Sequence, residues 1–309
     1  MKRIEYRMST ESVSYDGFTD RKFKITPEEY KFVSYACILC GECEKVCPIN
    51  LPLREMILEN RKYLVENNGV QFGTDLMEQM AANKMAFGLD VGTKADDLIE
   101  RAGILEECVE GLSDVNMQSK MKKSIYLSAG IWPDPDSIVD RYSCIETLRE
   151  TIEEFRESDS IFAKHLCAIG EGGIDHHWNP SGVDKHCHED YDDEMFYGER
   201  DLFAMQLDLA RELDLPFIIH SREGFEDTVD VLRSTRYNRG IVHCYSYGLS
   251  ETNTFLDMGW YLAFGGAATY IKKNQIEDFV SLINYVPKDR LLLGTDAPYL
   301  APVSLRGQE

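Results

Sequence analysis

From about residue 84 onward, short apolar runs alternate with longer amphipathic stretches, the pattern of βα units laid against a parallel sheet. Seven runs read as strands: Ala86–Gly92 (AFGLDVG), Ile125–Ile131 (IYLSAGI), Cys167–Ile174 (CAIGEGGI), Pro216–Ser221 (PFIIHS), Gly240–Tyr245 (GIVHCY), Tyr261–Gly266 (YLAFGG) and Arg290–Asp296 (RLLLGTD). The intervening stretches Asp96–Glu110, Ser137–Arg156, Gly198–Leu213 and Glu223–Arg233 read as helices, each long enough for a crossover between parallel strands. A closed barrel of such units wants eight strands. An eighth would have to precede Ala86, where helix-like Leu76–Asn83 follows Val70–Thr74 (VQFGT), taken as a surrogate first strand. Thirteen residues with two prolines follow Asp296, too few for a closing helix. The acidic, His-containing stretch Asp175–Arg200 between a strand and a helix reads as an inserted loop.

The 309 residues suffice for one large core with a small extra domain. The polar first twenty residues, and the lack of any run of eighteen uncharged apolar residues, argue against secretion and membrane spanning, so a cytoplasmic protein is expected. A net charge of −21 argues against a broad basic surface for neutralising phosphates. A nucleic acid would therefore be a low-affinity substrate, with bound metal ions supplying the positive charge.

Four of the nine cysteines, Cys37, Cys40, Cys43 and Cys47, precede Pro48 in the pattern C-x2-C-x2-C-x3-C-P. This is the spacing at which thiolates wrap a [4Fe–4S] cluster; a zinc site would ordinarily add histidines or a second, distant CxxC pair. Where two such clusters occur, the fourth cysteine serves the other one, so Cys47 closes this cluster or is left over. Residues 28–69 resemble one half of the iron–sulfur modules of lactate-utilisation and heterodisulfide-reductase electron-transfer proteins. The resemblance implies a small α-helical ferredoxin-like segment, placed at residues 1–71, and a redox partner.

Glu171, His220, His243 and Asp296 fall at or near the C-terminal ends of four expected strands, which in a parallel barrel converge on one face. Two imidazoles and two carboxylates there would suit Zn²⁺, Mn²⁺ or a similar divalent ion. Singly, each is as well read as a hydrogen-bonded core histidine or a helix-capping aspartate. The segments Gly170–Asp175 (GEGGID), Leu215–Glu223 (LPFIIHSRE), Gly240–Ser246 (GIVHCYS) and Arg290–Pro302 (RLLLGTDAPYLAP) closely resemble the TatD family of metal-dependent hydrolases, in the family's order and spacing. That resemblance implies an α/β, TIM-type barrel over residues 72–309 and hydrolysis of phosphodiesters in DNA with Zn, Mn or Mg. Carried over, Glu171 bridges two metals, His220 and His243 complete one metal site, and Asp296 binds the other metal and acts as base. Arg222, and more weakly Lys272 or Lys273, are candidates to hold a substrate phosphate, although a solvated cation explains each as well.

The resemblance is incomplete. The family opens on a strand ending in His-x-His, whereas the first histidine here is His165; the barrel is expected to lack its first strand and last helix. The family's GxHP is Gly130-Ile131-Trp132-Pro133, so Trp132 occupies a substrate-contacting histidine position. His186 and His188, an H-x-H pair in the acidic insertion, could replace the missing pair. Two further readings stand beside the hydrolase: an iron–sulfur electron-transfer protein with a passenger barrel, and a non-catalytic fusion fragment.

Overall fold

A computed structural model describes residues 70–296, apart from residues 72, 178 and 180–191, together with three short strands nearer the N-terminus. The cysteine run and the His186–His188 pair lie outside the described residues. Two compact units divide the chain, residues 1–69 with 295–309, and residues 70–294. In the first unit, β1 (Met8–Ser9), β2 (Ser12–Tyr15) and β3 (Phe23–Ile25) form an antiparallel sheet in the order β1-β2-β3, strands that the polar N-terminal sequence does not announce.

The second unit is built on seven parallel strands: β4 (Gly88–Asp90), β5 (Ile125–Ala129), β6 (Leu166–Asp175), β7 (Phe217–Arg222), β8 (Gly240–Val242), β9 (Tyr261–Phe264) and β10 (Leu291–Leu293). Their order in the sheet is their order in the chain, the connectivity of a TIM-type barrel one strand short. All seven expected strands are present. Among the described residues no pairing joins β4 to β10, so the sheet is open there.

The surrogate strand is corrected. Val70, Gln71, Gly73 and Thr74 are helical, with the Thr74 hydroxyl donating to the Val70 carbonyl at 2.8 Å, and α1 spans residues 73–82. A five-residue run with one β-branched residue at each end lacks the alternation that a strand needs, and burial of Met77 and Met80 at helical spacing decides for the helix.

Between the strands run α2 (Leu98–Glu110), α3 (Val115–Ser124), α4 (Pro135–Val139), α5 (Arg141–Glu157), α6 (Asp193–Glu212), α7 (Phe225–Thr235), α8 (Leu249–Asp257) and α9 (Ile276–Tyr285). The single helix expected over Ser137–Arg156 is two, because Asp140 leaves helical geometry (φ −100°, ψ 23°) between α4 and α5. The expected loop Asp175–Arg200 ends earlier than the acidic composition suggests. Asp192 accepts hydrogen bonds from the backbone N–H groups of Glu194 and Met195, and the acidic residues that follow lie in the first turn of α6, where the helix dipole favours them.

β5, β6 and β7 are largely buried on both faces, as a helix-covered parallel sheet requires. Phe155, Phe162, Phe203, Phe217, Phe255 and Trp260 are the largest fully buried side chains. β6 carries the tightest packing. Gly173 has φ +150°, and a Cβ there would sit 1.9 Å from the His220 carbonyl, so only glycine lets β6 and β7 approach at the level of His220.

Candidate functional site

β6 and β7 are paired with Gly173 opposite His220 and Asp175 opposite Arg222. Glu171 and Asp175 lie four positions apart on β6, and side chains two or four apart on a strand share a face. Both reach the same imidazole. His220 Nδ1 is 2.6 Å from Glu171 Oε1, and His220 Nε2 is 2.7 Å from Asp175 Oδ2. Asp175 is fully buried, and its backbone N–H donates to Glu199 Oε1 at 2.8 Å, another fully buried carboxylate. The Glu171 backbone N–H donates to the Gly92 carbonyl beyond β4 at 2.7 Å, which fixes the carboxylate-bearing residue from the opposite side.

Burial by itself would lower the His220 pKa, but hydrogen bonds to Asp175 and Glu171 and their charges outweigh it and lift the pKa to about 10. With no metal bound, these two carboxylates favour an imidazolium that donates through both nitrogens at neutral pH. It carries the positive charge that two converging carboxylates demand.

His243 directly follows β8, where Val242 pairs with Ile219, so it stands at the next strand end beside His220; its backbone N–H donates to the Ile219 carbonyl at 2.9 Å. The ring of His243 lies over Gly294, 3.9 Å from where a Cβ on that glycine would be. The strand end bearing His220 is braced from below. Ser221 Oγ is 2.8 Å from both Thr228 Oγ1 and the Tyr247 hydroxyl, which also accepts from the Gly224 N–H at 3.2 Å. Burial raises the pKa of Tyr247, so it stays a neutral hydrogen-bonding group.

The remaining expected residues are placed as follows. Arg222 is the last residue of β7 and its carbonyl accepts from the His176 N–H at 2.8 Å. Lys272 and Lys273 are exposed, beyond the single-turn helix Gly266–Tyr270 that follows β9. Asp296 follows β10 by three residues and falls on the other side of the division between the two units. Trp132, past β5, stands edge-on to His220, with ring centroids 5.7 Å apart and planes at 71°.

Asp175 is the residue that sequence reasoning missed. It closes the segment GEGGID, and strand alternation from Glu171 points to it. A carboxylate holding one imidazole nitrogen while the other faces a second carboxylate is the arrangement that orients a metal-ligating histidine. The carboxylates and imidazole that meet here are donor types a divalent ion takes, and Asp175 is placed to orient the His220 ring.

The sequence profile described as TatD related DNase matches residues 70–309, and that of a 4Fe-4S binding domain matches residues 30–51. The chain is similar to the uncharacterized metal-dependent hydrolase YcfH of Escherichia coli K12, at 28% identity over 237 residues that cover 76% of this chain and 74% of that protein. It is similar also to the uncharacterized metal-dependent hydrolase YabD of Bacillus subtilis, at 32% identity over 163 residues covering 50% and 58% of the two chains. Among solved structures, the TatD homolog YJJV of Escherichia coli K12 aligns over 70% of each chain with a TM-score of 0.51 and 23% identity. A TatD family hydrolase of Entamoeba histolytica aligns over 74% of this chain and 65% of that one, with a TM-score of 0.53 and 18% identity. Sheet order, the converging Glu171 and His220, and these likenesses agree: over residues 70–309 the chain belongs to the TatD-related family of metal-dependent hydrolases.

Proposed function

We propose that this chain hydrolyses phosphodiester bonds, with DNA as substrate. The observation that carries the reading is the single imidazole of His220 held between Glu171 and Asp175 at the end of β7, with His243 at the neighbouring strand end. A divalent ion bound there would neutralise charge developing on a phosphoryl oxygen and lower the pKa of a water. Glu171, His220 and His243 would hold it, and Asp175 would keep the His220 ring turned toward it. Asp296 would take the proton from the attacking water as its oxygen bonds phosphorus and the ester P–O bond opposite breaks. Arg222 is the nearest candidate along the chain to hold a phosphate bidentately.

The test is degradation of single-stranded DNA by the full chain with added Mg²⁺ or Mn²⁺, beside elemental analysis. Metal-dependent cleavage that falls at least a hundredfold in Asp296→Asn supports the reading. A chain that binds the metal and leaves DNA and simple phosphodiesters intact refutes it.

A second reading rests on the match of residues 30–51 to a 4Fe-4S binding domain, within which Cys37, Cys40, Cys43 and Cys47 would hold the cluster. Iron and acid-labile sulfide in anaerobically purified protein, lost on Cys40→Ser, would place electron transfer with a redox partner beside the hydrolase. Colourless, iron-free protein would dismiss it.

A further inference from the structure

Trp132 is a large apolar side chain left partly in the open by a loop that buries its neighbours. Ile131 and Pro133 on either side are buried, whereas the indole is only half-buried. Were Trp132 a packing residue, the loop would be expected to turn its largest group inward and leave a smaller one outside.

The loop is also held more firmly than its surface position needs. The buried Gln206 side-chain amide accepts from the Ile131 N–H at 2.8 Å and donates to the Ile131 carbonyl at 2.9 Å. Trp132 itself donates its N–H to the Thr93 carbonyl at 2.9 Å and accepts from the Asp134 N–H at 2.8 Å. The buried Asn179 amide donates to the Pro133 carbonyl at 2.6 Å. Three consecutive residues are thus pinned to Thr93, Asn179 and α6, and the indole they carry stands T-shaped to the His220 ring. Rigid support of this kind is what a recognition group requires, because it removes the ordering cost on binding.

An indole has one N–H donor, no acceptor and no charge, so it cannot clamp a phosphate as a cation would. What it offers is a π face. We propose that Trp132 is a stacking platform for the planar base of a nucleotidyl ester whose phosphate lies at the His220 site. The inference rests on the phosphodiesterase reading and names its substrate class: esters carrying a nucleobase next to the scissile phosphate, in preference to abasic or alkyl phosphodiesters. Stacking on aromatic side chains tolerates every base, so no sequence preference accompanies it.

The experiment is calorimetric binding of thymidine 5′-monophosphate and of 2-deoxyribose 5-phosphate to the full chain in Mg²⁺. The native protein is expected to prefer the nucleotide by between about fivefold and a hundredfold, the range of one base–aromatic stack. Trp132→Ala should bring that ratio to about one while leaving the affinity for the sugar phosphate in place, and Trp132→Phe should keep most of the preference. A native chain that shows no preference or binds neither compound overturns the proposal, as does a preference that survives Trp132→Ala. The two readings fail separately. Turnover of DNA without any Trp132-dependent preference sinks the platform and leaves the hydrolase, whereas the preference without turnover leaves a nucleotide-binding site that is not a phosphodiesterase.

Discussion

His220 is the residue on which the site turns, because its two ring nitrogens are already committed to carboxylates at 2.6 and 2.7 Å. A divalent ion must displace the proton on the nitrogen it takes, so metal affinity should rise with pH. Asp175→Asn keeps the size of the buried side chain and removes the charge that fixes the ring. Loss of such an outer partner typically costs about ten- to a hundredfold in metal affinity, and competition with a chromogenic chelator would show it. An unchanged dissociation constant would mean that Asp175 is only a core hydrogen-bonding group. The metal-free protein offers a second prediction. A histidine near 6.5 when unfolded and about 10 when folded adds its full stabilisation below pH 6.5, and loses it as the pH rises through 10. The melting temperature of chelator-treated protein should therefore fall between pH 7 and 10, and His220→Asn should flatten that fall relative to the native chain. Parallel profiles for the two proteins would show that the ring is not the imidazolium inferred here.

At the scale of the element, the strands β4 to β10 are legible because each is a short apolar run bounded by turn residues, even where, as at Leu292 and Leu293 of β10, the run is left exposed. Boundaries shifted at single residues: Asp192 capping α6 with its side chain, Asp140 splitting α4 from α5 by its backbone angles, and Thr74 bonding a helical carbonyl. None of these has a period, so pattern reading overlooks them. The site was legible to the same extent. Glu171 and His220 stand out as strand-end groups and do meet, whereas the acidic composition beyond Asp175 masks the strand's end and with it the contact of Asp175 with His220. The loop after β5 shows what position alone conceals, since Gln206 reaches it from 75 residues away. Gln206→Leu fills the same space but leaves both backbone groups of Ile131 without partners. At about 1–3 kcal/mol for each such group, a destabilisation of roughly 3 kcal/mol is expected from denaturant titration. A loss under about 0.5 kcal/mol would mean that the loop finds other partners and is not pinned as described.

For the whole molecule the governing quantity is charge. With 54 acidic residues against 33 basic ones, the chain repels a polyanion at long range, and affinity for DNA cannot be built from many lysine–phosphate contacts. Proteins that gain affinity that way release counterions on binding, and those with six to ten such contacts lose about a thousandfold or more between roughly 50 and 200 mM salt. This chain should behave otherwise. Attraction would come from divalent metal at the end of β7, which monovalent salt competes with weakly, and from a stacking surface that salt barely affects, while salt also screens the repulsion. The KM for single-stranded DNA, measured at fixed Mg²⁺, should then change by less than about threefold over the same salt range. A steep rise in KM would show that a local basic surface overcomes the overall negative charge, with Arg222, Lys272 and Lys273 the first substitutions to try. A flat or falling KM would instead leave the metal and Trp132 as the means by which so acidic a protein holds nucleic acid, and abasic or alkyl phosphodiesters should then be its poorest substrates.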